Sequence, residues 1–342
     1  MTKTADAVGR ERLLKVLDGA WGTVGPEFRA AGAEIAAFAG CEKALCVFSA
    51  SAALETVLRA QNIGRGDEVI VAAWSDPVDS MTCAAVGAVP VFADVDENTL
   101  TLSPAALGSA LTGRTQAVIA DLPGGNPCDA PALSHFCREH GLLFIINLSD
   151  CWGTEIGGRK IWKYADAAFA DLGDGRLADA GLAGAVLTDD ADAFEKYYAY
   201  HNCGRPQDAG ASLSFDAILG GDLRIAEWQC ALIRGQIGLI PERLRECREE
   251  SAVVAEKTAP VALVPGGVSS RRGTLVAGEK TGGLRYAPCF ELMCDAPVWS
   301  SGFFLKCTGA AGVRRGSFPV SRYASENARL AYPAEKEKND RV

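Results

Sequence analysis

The stretch FADLGDGRLADAGLAGAV, residues 169–186, follows an apolar run with two carboxylates, Asp171 and Asp174, and one cation, Arg176, within six residues. Groups of these types so close together at a strand end support two kinds of chemistry. Arg176 can be an ion-pair partner of Asp171 or Asp174, or a clamp on a substrate carboxylate or phosphate. Comparable groups follow other apolar runs: Trp74 and Asp76 after DEVIVAA, and Asn147 and Asp150 at the end of LLFIIN. Ser49-Ala50-Ser51 stands where a helix begins, and there backbone N–H groups and the helix dipole favour an anion. Asp222, in GGDLR, adds an acid further along. Each acid taken singly reads as a solvated loop or a cap. His201, in YHNCGR, titrates in the range of acid–base catalysis, but a lone histidine at a helix end reads as a C-terminal cap.

Those residues need elements to hold them, and the pattern of the chain supplies an α/β sheet. From residue 44 onward, apolar runs alternate with amphipathic ones: ALCVFSA then SAALETVLRAQNIG, DEVIVAA then DPVDSMTCAAVGA, VPVFADV then SPAALGSAL, QAVIAD then APALSHFCREHG. Continuous apolar strands separated by helical segments predict βαβ units and a mostly parallel sheet flanked by helices. Ligands of such sheets lie beyond the carboxyl ends of the strands, where the groups named above fall. Beyond residue 190 the pattern changes to longer helices, ADAFEKYYAYHN, RIAEWQCALIRGQIGLI and PERLRECREESAVVAEK, and then to Gly-rich β-like sequence. The predicted division is a large domain over 1–250 with an N-terminal helical arm, and a smaller, shortened α+β domain over 251–342. Tyr197, Tyr198 and Tyr200 read as a packed helix face. Trp228 reads as a core or subunit-interface anchor.

Composition narrows the chemistry. A net charge of -9 provides no basic stripe, which argues against nucleic acid as a partner. Twelve cysteines lack any CxxC spacing and only three histidines exist, so no metal site is predicted. Cys46, Cys83 and Cys230 lie inside apolar runs and read as buried free thiols of a reducing compartment. MTKTADAVGRERLL has no apolar signal region and no segment is long enough to span a membrane, so the expected location is cytoplasmic.

The order of motifs resembles a known family. FSASAALETVL, GRGDEVIVAA, GAVPVFADVDENTLTLSPAAL, GRKIW, GLAGAVLTDD, HNCGRP and LRIAEWQCAL are similar to the DegT-type sugar aminotransferases over roughly residues 10–250. The HNCGRPQD run and the GDGRLADAG loop are most similar to the aminohydroxybenzoate synthase branch used in antibiotic biosynthesis. The resemblance implies fold type I of the enzymes dependent on pyridoxal phosphate (PLP), acting as dimers. It also implies roles for single positions. The imine-forming lysine falls on Arg176, and the phosphate-binding serine five residues earlier falls on Asp171. The acid that holds the pyridine nitrogen falls on Asn147, and the stacking aromatic falls on Asp76 with Trp74 as a partial substitute. The asparagine that a neighbouring subunit sends to the phosphate falls on Asp222. The Ser49-Ala50-Ser51 turn remains as a vestigial phosphate cradle.

A guanidinium stays protonated and cannot form an imine. A phosphate about 4 Å from a carboxylate is repelled by several kcal/mol at an effective dielectric near 20, whereas one helix N-terminus returns only about 0.3 to 2 kcal/mol. The expectation is therefore that PLP is lost and no cofactor is carried. Arg176, Asp171, Asn147, Asp150 and Asp76 would then line an acidic cleft of a PLP-independent enzyme acting on an amine-bearing or cationic small molecule in secondary metabolism. Two alternatives stand beside it: an inactive partner or regulatory subunit of an intact aminotransferase, and an active PLP enzyme with a displaced lysine, Lys160 or Lys163. A homodimer is expected, with a heterodimer as the variant.

Overall fold

The computed structural model describes residues 3–19, 22–73, 75–96, 99, 101–173, 176–207 and 219–246, and the backbone of five strands between 261 and 317. Apart from those strands, the small domain expected over 251–342 lies outside the described residues, as do Trp74 and Asp174. The chain divides into two compact units, Met1–Ile63 with Asp166–Arg245, and Gly64–Ala165 with Glu246–Val342. The central sheet has seven strands and is mostly parallel.

In the first unit, helices α1 (Lys3–Leu17) and α2 (Pro26–Ala39) precede strand β1 (Lys43–Val47) and helix α3 (Ala50–Ala60). Strands β8 (Ala167–Asp171) and β9 (Gly184–Thr188), then helices α7 (Ala191–His201) and α8 (Glu227–Ile237), complete it. Strand β9 lies between β1 and β8 and is antiparallel to both. Its residues, GAVLT, are all buried, as an interior strand covered on both faces requires.

The second unit holds β2 (Glu68–Ala72), α4 (Pro77–Ala85), β3 (Val89–Ala93), α5 (Pro104–Ala110), β4 (Thr115–Asp121), α6 (Ala130–His140) and β5 (Leu143–Asn147). Strand β2 pairs in parallel with β3 and β4, and β4 with β5, as the alternating pattern predicts. Capping residues set the helix starts: Asp76 before Pro77 for α4, and Asp129 for α6, each accepting a backbone N–H in the first turn. A hairpin of β6 (Glu155–Ile156) and β7 (Arg159–Lys160) carries Lys160, ion-paired to Glu155 at 2.8 Å. The C-terminal strands are β10 (Val261–Leu263), β11 (Thr274–Gly278) and β12 (Leu284–Ala287) in one antiparallel sheet, and β13 (Phe304–Gly309) with β14 (Gly312–Ser317).

One carboxylate joins distant parts of the first unit. Buried Glu227, at the start of α8, accepts the backbone N–H groups of Gly25, Glu27 and Phe28 at 2.7, 2.8 and 3.0 Å. It thereby satisfies the open N-terminus of α2 from two hundred residues away. Arg234, two turns along α8, adds ion pairs to Glu27 and Glu34 of α2 at 2.9 and 2.7 Å. Glu227→Ala would leave three donors, that of Phe28 buried, without their acceptor and is expected to cost about 3 kcal/mol. Glu227→Gln, which keeps an acceptor, should cost about 1 kcal/mol, and urea midpoints of the two variants measure the difference.

A second close approach shapes the strand ends. A Cβ built on Gly184 would stand 2.3 Å from the Ser49 carbonyl oxygen and 2.8 Å from the Ala50 nitrogen, so β9 touches the turn that opens α3. Gly184→Ala is expected to push that turn aside at a cost of about 1 to 3 kcal/mol. Inorganic phosphate should then lose its stabilising effect on the melting temperature, whereas it raises that of the wild type.

Candidate functional site

The first unit presents a capped helix start and an ion-paired loop. Ser49 caps α3: its Oγ accepts the Ala52 N–H at 3.1 Å and lies 2.9 Å from the Ser51 Oγ. The N–H groups of Ala50 and Ser51, at the first positions of the helix, point out of its N-terminus. Beyond β8, the Arg176 Nε donates to Asp171 Oδ2 at 2.8 Å, and Asp171 Oδ1 accepts the Gly173 N–H at 2.9 Å. Arg176 is 3% exposed, so the guanidinium belongs to the interior. Asp174, the other acid considered for it, lies outside the described residues. Two further contacts tie the rest of the loop. Arg243 donates to the Leu177 carbonyl, and Gln229 Nε2 donates to the Leu182 carbonyl at 2.6 Å.

Asp222 is half of a second ion pair. Both its oxygens accept from the Arg224 guanidinium, at 2.7 and 2.9 Å, and this contact holds its carboxyl below the usual range. His201 ends α7 with Nδ1 2.5 Å from the Tyr198 carbonyl and its ring stacked on Phe28 at 5.7 Å. Burial lowers its pKa to about 4, so at neutral pH it is an uncharged ring of the interior. The three tyrosines of α7 are all buried, as a packed helix. Trp228 is 38% exposed, which rules out its place in the core.

The second unit gathers acids at the carboxyl ends of β2, β4 and β5, and neighbouring groups take them up. Asp76 Oδ1 accepts the Val78 N–H at 3.1 Å, and the Asp76 N–H donates to Asp121 Oδ2 at 2.6 Å. Asn147, wholly buried, donates from Nδ2 to Asp79 Oδ1 at 3.1 Å. Its Oδ1 accepts from the Ser149 N–H at 3.0 Å and the Ser149 Oγ at 2.5 Å. Asp150 is half-buried beside Cys151, whose thiol burial and neighbouring carboxylates push well up. The Cys128 thiol rises to about 12 from burial. Neither thiol is a nucleophile at neutral pH. No cluster with metal-ligand composition occurs among the described residues.

Asp171 and Arg176 are thus brought together, while Asp76 and Asp222 each find a local partner. Sequence reasoning missed Asp79 and Arg224. Arg224 stood two residues from Asp222 and could have been found, as could Asp79, a lone acid in the first turn of an otherwise neutral helix.

Known proteins share sequence and fold with this chain. The chain is 30% identical over 243 residues to 3-amino-5-hydroxybenzoate synthase of Amycolatopsis mediterranei, covering 70% of this chain and 62% of that protein. It is 37% identical over 193 residues to the spore coat polysaccharide biosynthesis protein SpsC of Bacillus subtilis, covering 55% and 49%. The chain therefore spans about half to two thirds of the length of these relatives. Among solved structures, 3-amino-5-hydroxybenzoic acid synthase superposes with a TM-score of 0.73 at 28% identity, covering 79% of this chain and 73% of that one. NtdA from Bacillus subtilis, solved with bound PMP, shares the fold at a TM-score of 0.69 and 19% identity, covering 84% and 65%. GDP-4-keto-6-deoxymannose-3-dehydratase, solved with a trapped PLP–glutamate geminal diamine, does so at a TM-score of 0.70 and 19% identity, covering 81% and 78%.

These findings correct the expectation that no cofactor is carried: they point to a PLP-type group. The physical reason lies in the two acids expected to repel its phosphate. Asp171 is neutralised by Arg176 and Asp222 by Arg224, so neither acts as a bare charge. The residues fit the group in part. The turn at Ser49–Ser51, with Gly184 pressed against it, suits a phosphate. The loop does not suit a covalent link, because residues 169–186 contain no lysine and Arg176 is buried in its ion pair. The sequence model of the DegT/DnrJ/EryC1/StrS aminotransferase family matches residues 4–263, and the chain belongs to that family.

Proposed function

We propose that this chain is an enzyme of secondary metabolism that acts on an amine-bearing small molecule and holds a PLP-type cofactor by its phosphate, without a lysine imine. The observation that carries the reading is Arg176, buried and 2.8 Å from Asp171 at the position where the family resemblance places the lysine. The name of the aminohydroxybenzoate synthase relative supports the substrate class, a small molecule that gains or carries an amine. When bound, such a cofactor supplies the electron sink for chemistry at the amine-bearing carbon. The protein's part is to position. Ser49, Ala50 and Ser51 would direct hydroxyl and N–H groups at the anion, and Asp171 and Arg176 pair into a group with no net charge. The functional unit is a homodimer, in which exposed Trp228 and Leu182 offer apolar surface to a second copy. No helix among the described residues is long and apolar enough to cross a membrane.

Incubation with PLP or PMP should give a bound absorbance band that desalting removes, and borohydride should fix no label to the chain. A label fixed to Lys160, Lys163 or any other lysine would overturn the reading. So would the absence of binding by both forms.

Arg176→Lys alone is expected to leave the protein without transaminase activity. The new ammonium would remain paired with Asp171 and protonated, and a protonated amine is no nucleophile. Only Arg176→Lys combined with Asp171→Ser should acquire a borohydride-fixed label at position 176, detectable by peptide mass spectrometry.

A further inference from the structure

Within the first unit, α2, the start of β1 and α7 enclose a cavity of about 260 Å³ that the function described above leaves unused. Its walls are aromatic. Phe28 of α2 and Phe194 and Tyr198 of α7 border it, with the Tyr198 ring in an edge arrangement with Phe28 at 6.4 Å and tilted against Phe194 at 6.3 Å. The space exists because α2 brings small side chains to it. Gly32 lets the helix press on β1, where a Cβ would stand 2.7 Å from the Ala44 carbonyl oxygen, and Ala33 and Ala36 are too short to fill the rest. A hollow of this size is uncommon in a close-packed fold.

Charge at the mouth selects the occupant. Arg29, Lys43 and Glu42 are the charged residues of the lining, all exposed, so two cations against one acid leave one net positive charge in a chain of net charge -9. Neither cation has an ion-pair partner among the described residues. The Lys43 ammonium lies 5.5 Å from the centroid of the Phe194 ring, and Arg29 Nη1 donates to the Val24 carbonyl at 3.1 Å. Aromatic walls below two such cations are complementary to a ring that carries an anion: the ring meets Phe28, Phe194 and Tyr198, and its carboxylate meets Arg29 and Lys43. The volume lies just below the roughly 300 to 1,000 Å³ of drug-sized sites, which suits a single ring. Lys43 opens β1 and Ser49 follows its end, roughly 20 Å away at about 3.3 Å per residue, so cavity and helix-start turn occupy opposite ends of one strand.

We infer that this cavity is a binding site for a single-ring aromatic carboxylate, distinct from the turn at Ser49–Ser51. Benzoate is the probe, its binding to the full chain followed by line broadening of its own proton resonances in saturating inorganic phosphate, which occupies other anion sites. Benzoate should bind with a dissociation constant on the order of 1 mM, as a small ligand in an open cavity does. Benzamide, which lacks the charge, should bind about tenfold more weakly, and cyclohexanecarboxylate, which lacks the aromatic faces, about fivefold more weakly. Equal binding of either analogue overturns the inference, as does the absence of benzoate binding at about tenfold the expected constant.

Two kinds of variant locate the site on exposed positions that the fold does not need. Arg29→Gln with Lys43→Gln should weaken benzoate at least tenfold while leaving cyclohexanecarboxylate and benzoate alike in affinity to benzamide, because about two charge-assisted contacts are lost. Ala33→Phe fills the cavity from its rim and should abolish binding of all three probes without lowering the melting temperature. Benzoate binding that survives both variants lies elsewhere on the chain and overturns the assignment.

Discussion

A guanidinium in the interior must have a carboxylate, and the candidate site is arranged around that requirement. Arg176 is 3% exposed and meets Asp171 five residues earlier, at the end of β8. Removing one partner of such a buried pair costs about 3 to 5 kcal/mol, more than the roughly 0.3 to 2 kcal/mol that a helix N-terminus contributes to holding an anion. The loop is therefore shaped first by its own ion pair, and any anion must accept the result. The pair is also neutral as a whole, which permits a phosphate where an isolated Asp171 would oppose one.

The same local satisfaction recurs at the other strand ends. Asp76 caps α4, Asp121 accepts the Asp76 N–H, Asp79 accepts the Asn147 amide, and Asp222 is held by two nitrogens of the Arg224 guanidinium. Counting acids from the sequence suggests a strongly negative cleft. Their geometry disperses that charge into caps and pairs, the buried ones worth about 1 to 3 kcal/mol each and the exposed Asp222–Arg224 pair less than about 1 kcal/mol. Charge at a strand end is thus a statement about partners, and formal counts mislead wherever the partners are close.

Legibility in the sequence followed the range of the interaction. The parallel sheet was readable because EVIVA and QAVIAD are continuous apolar runs, and a strand buried on both faces has no other composition. The pair of Asp171 with Arg176 was readable as one of two roles for the arginine, because only five residues separate them. The cofactor expectation failed because Asp222 was weighed without Arg224, two residues away. Asp79 and Asn147 were beyond reach for a different reason: 68 residues separate them, and no periodicity announces a hydrogen bond between a helix start and a strand end. Glu227 reaching the N-terminus of α2 is the same case at greater distance.

Phosphate turn and imine lysine can part company because different forces maintain them. The turn at Ser49 follows from packing: Gly184 has no side chain, β9 approaches within contact of the Ser49 carbonyl, and α3 must start there with its first N–H groups outward. Any sequence that keeps β9 beside β1 keeps that turn, whatever it binds. The lysine has no such support. Its side chain serves chemistry alone, and an arginine with a carboxylate fills the same interior with a satisfied ion pair. The turn at Ser49 is thus maintained by backbone packing and the loop beyond β8 by the Arg176–Asp171 pair, two local causes that act independently.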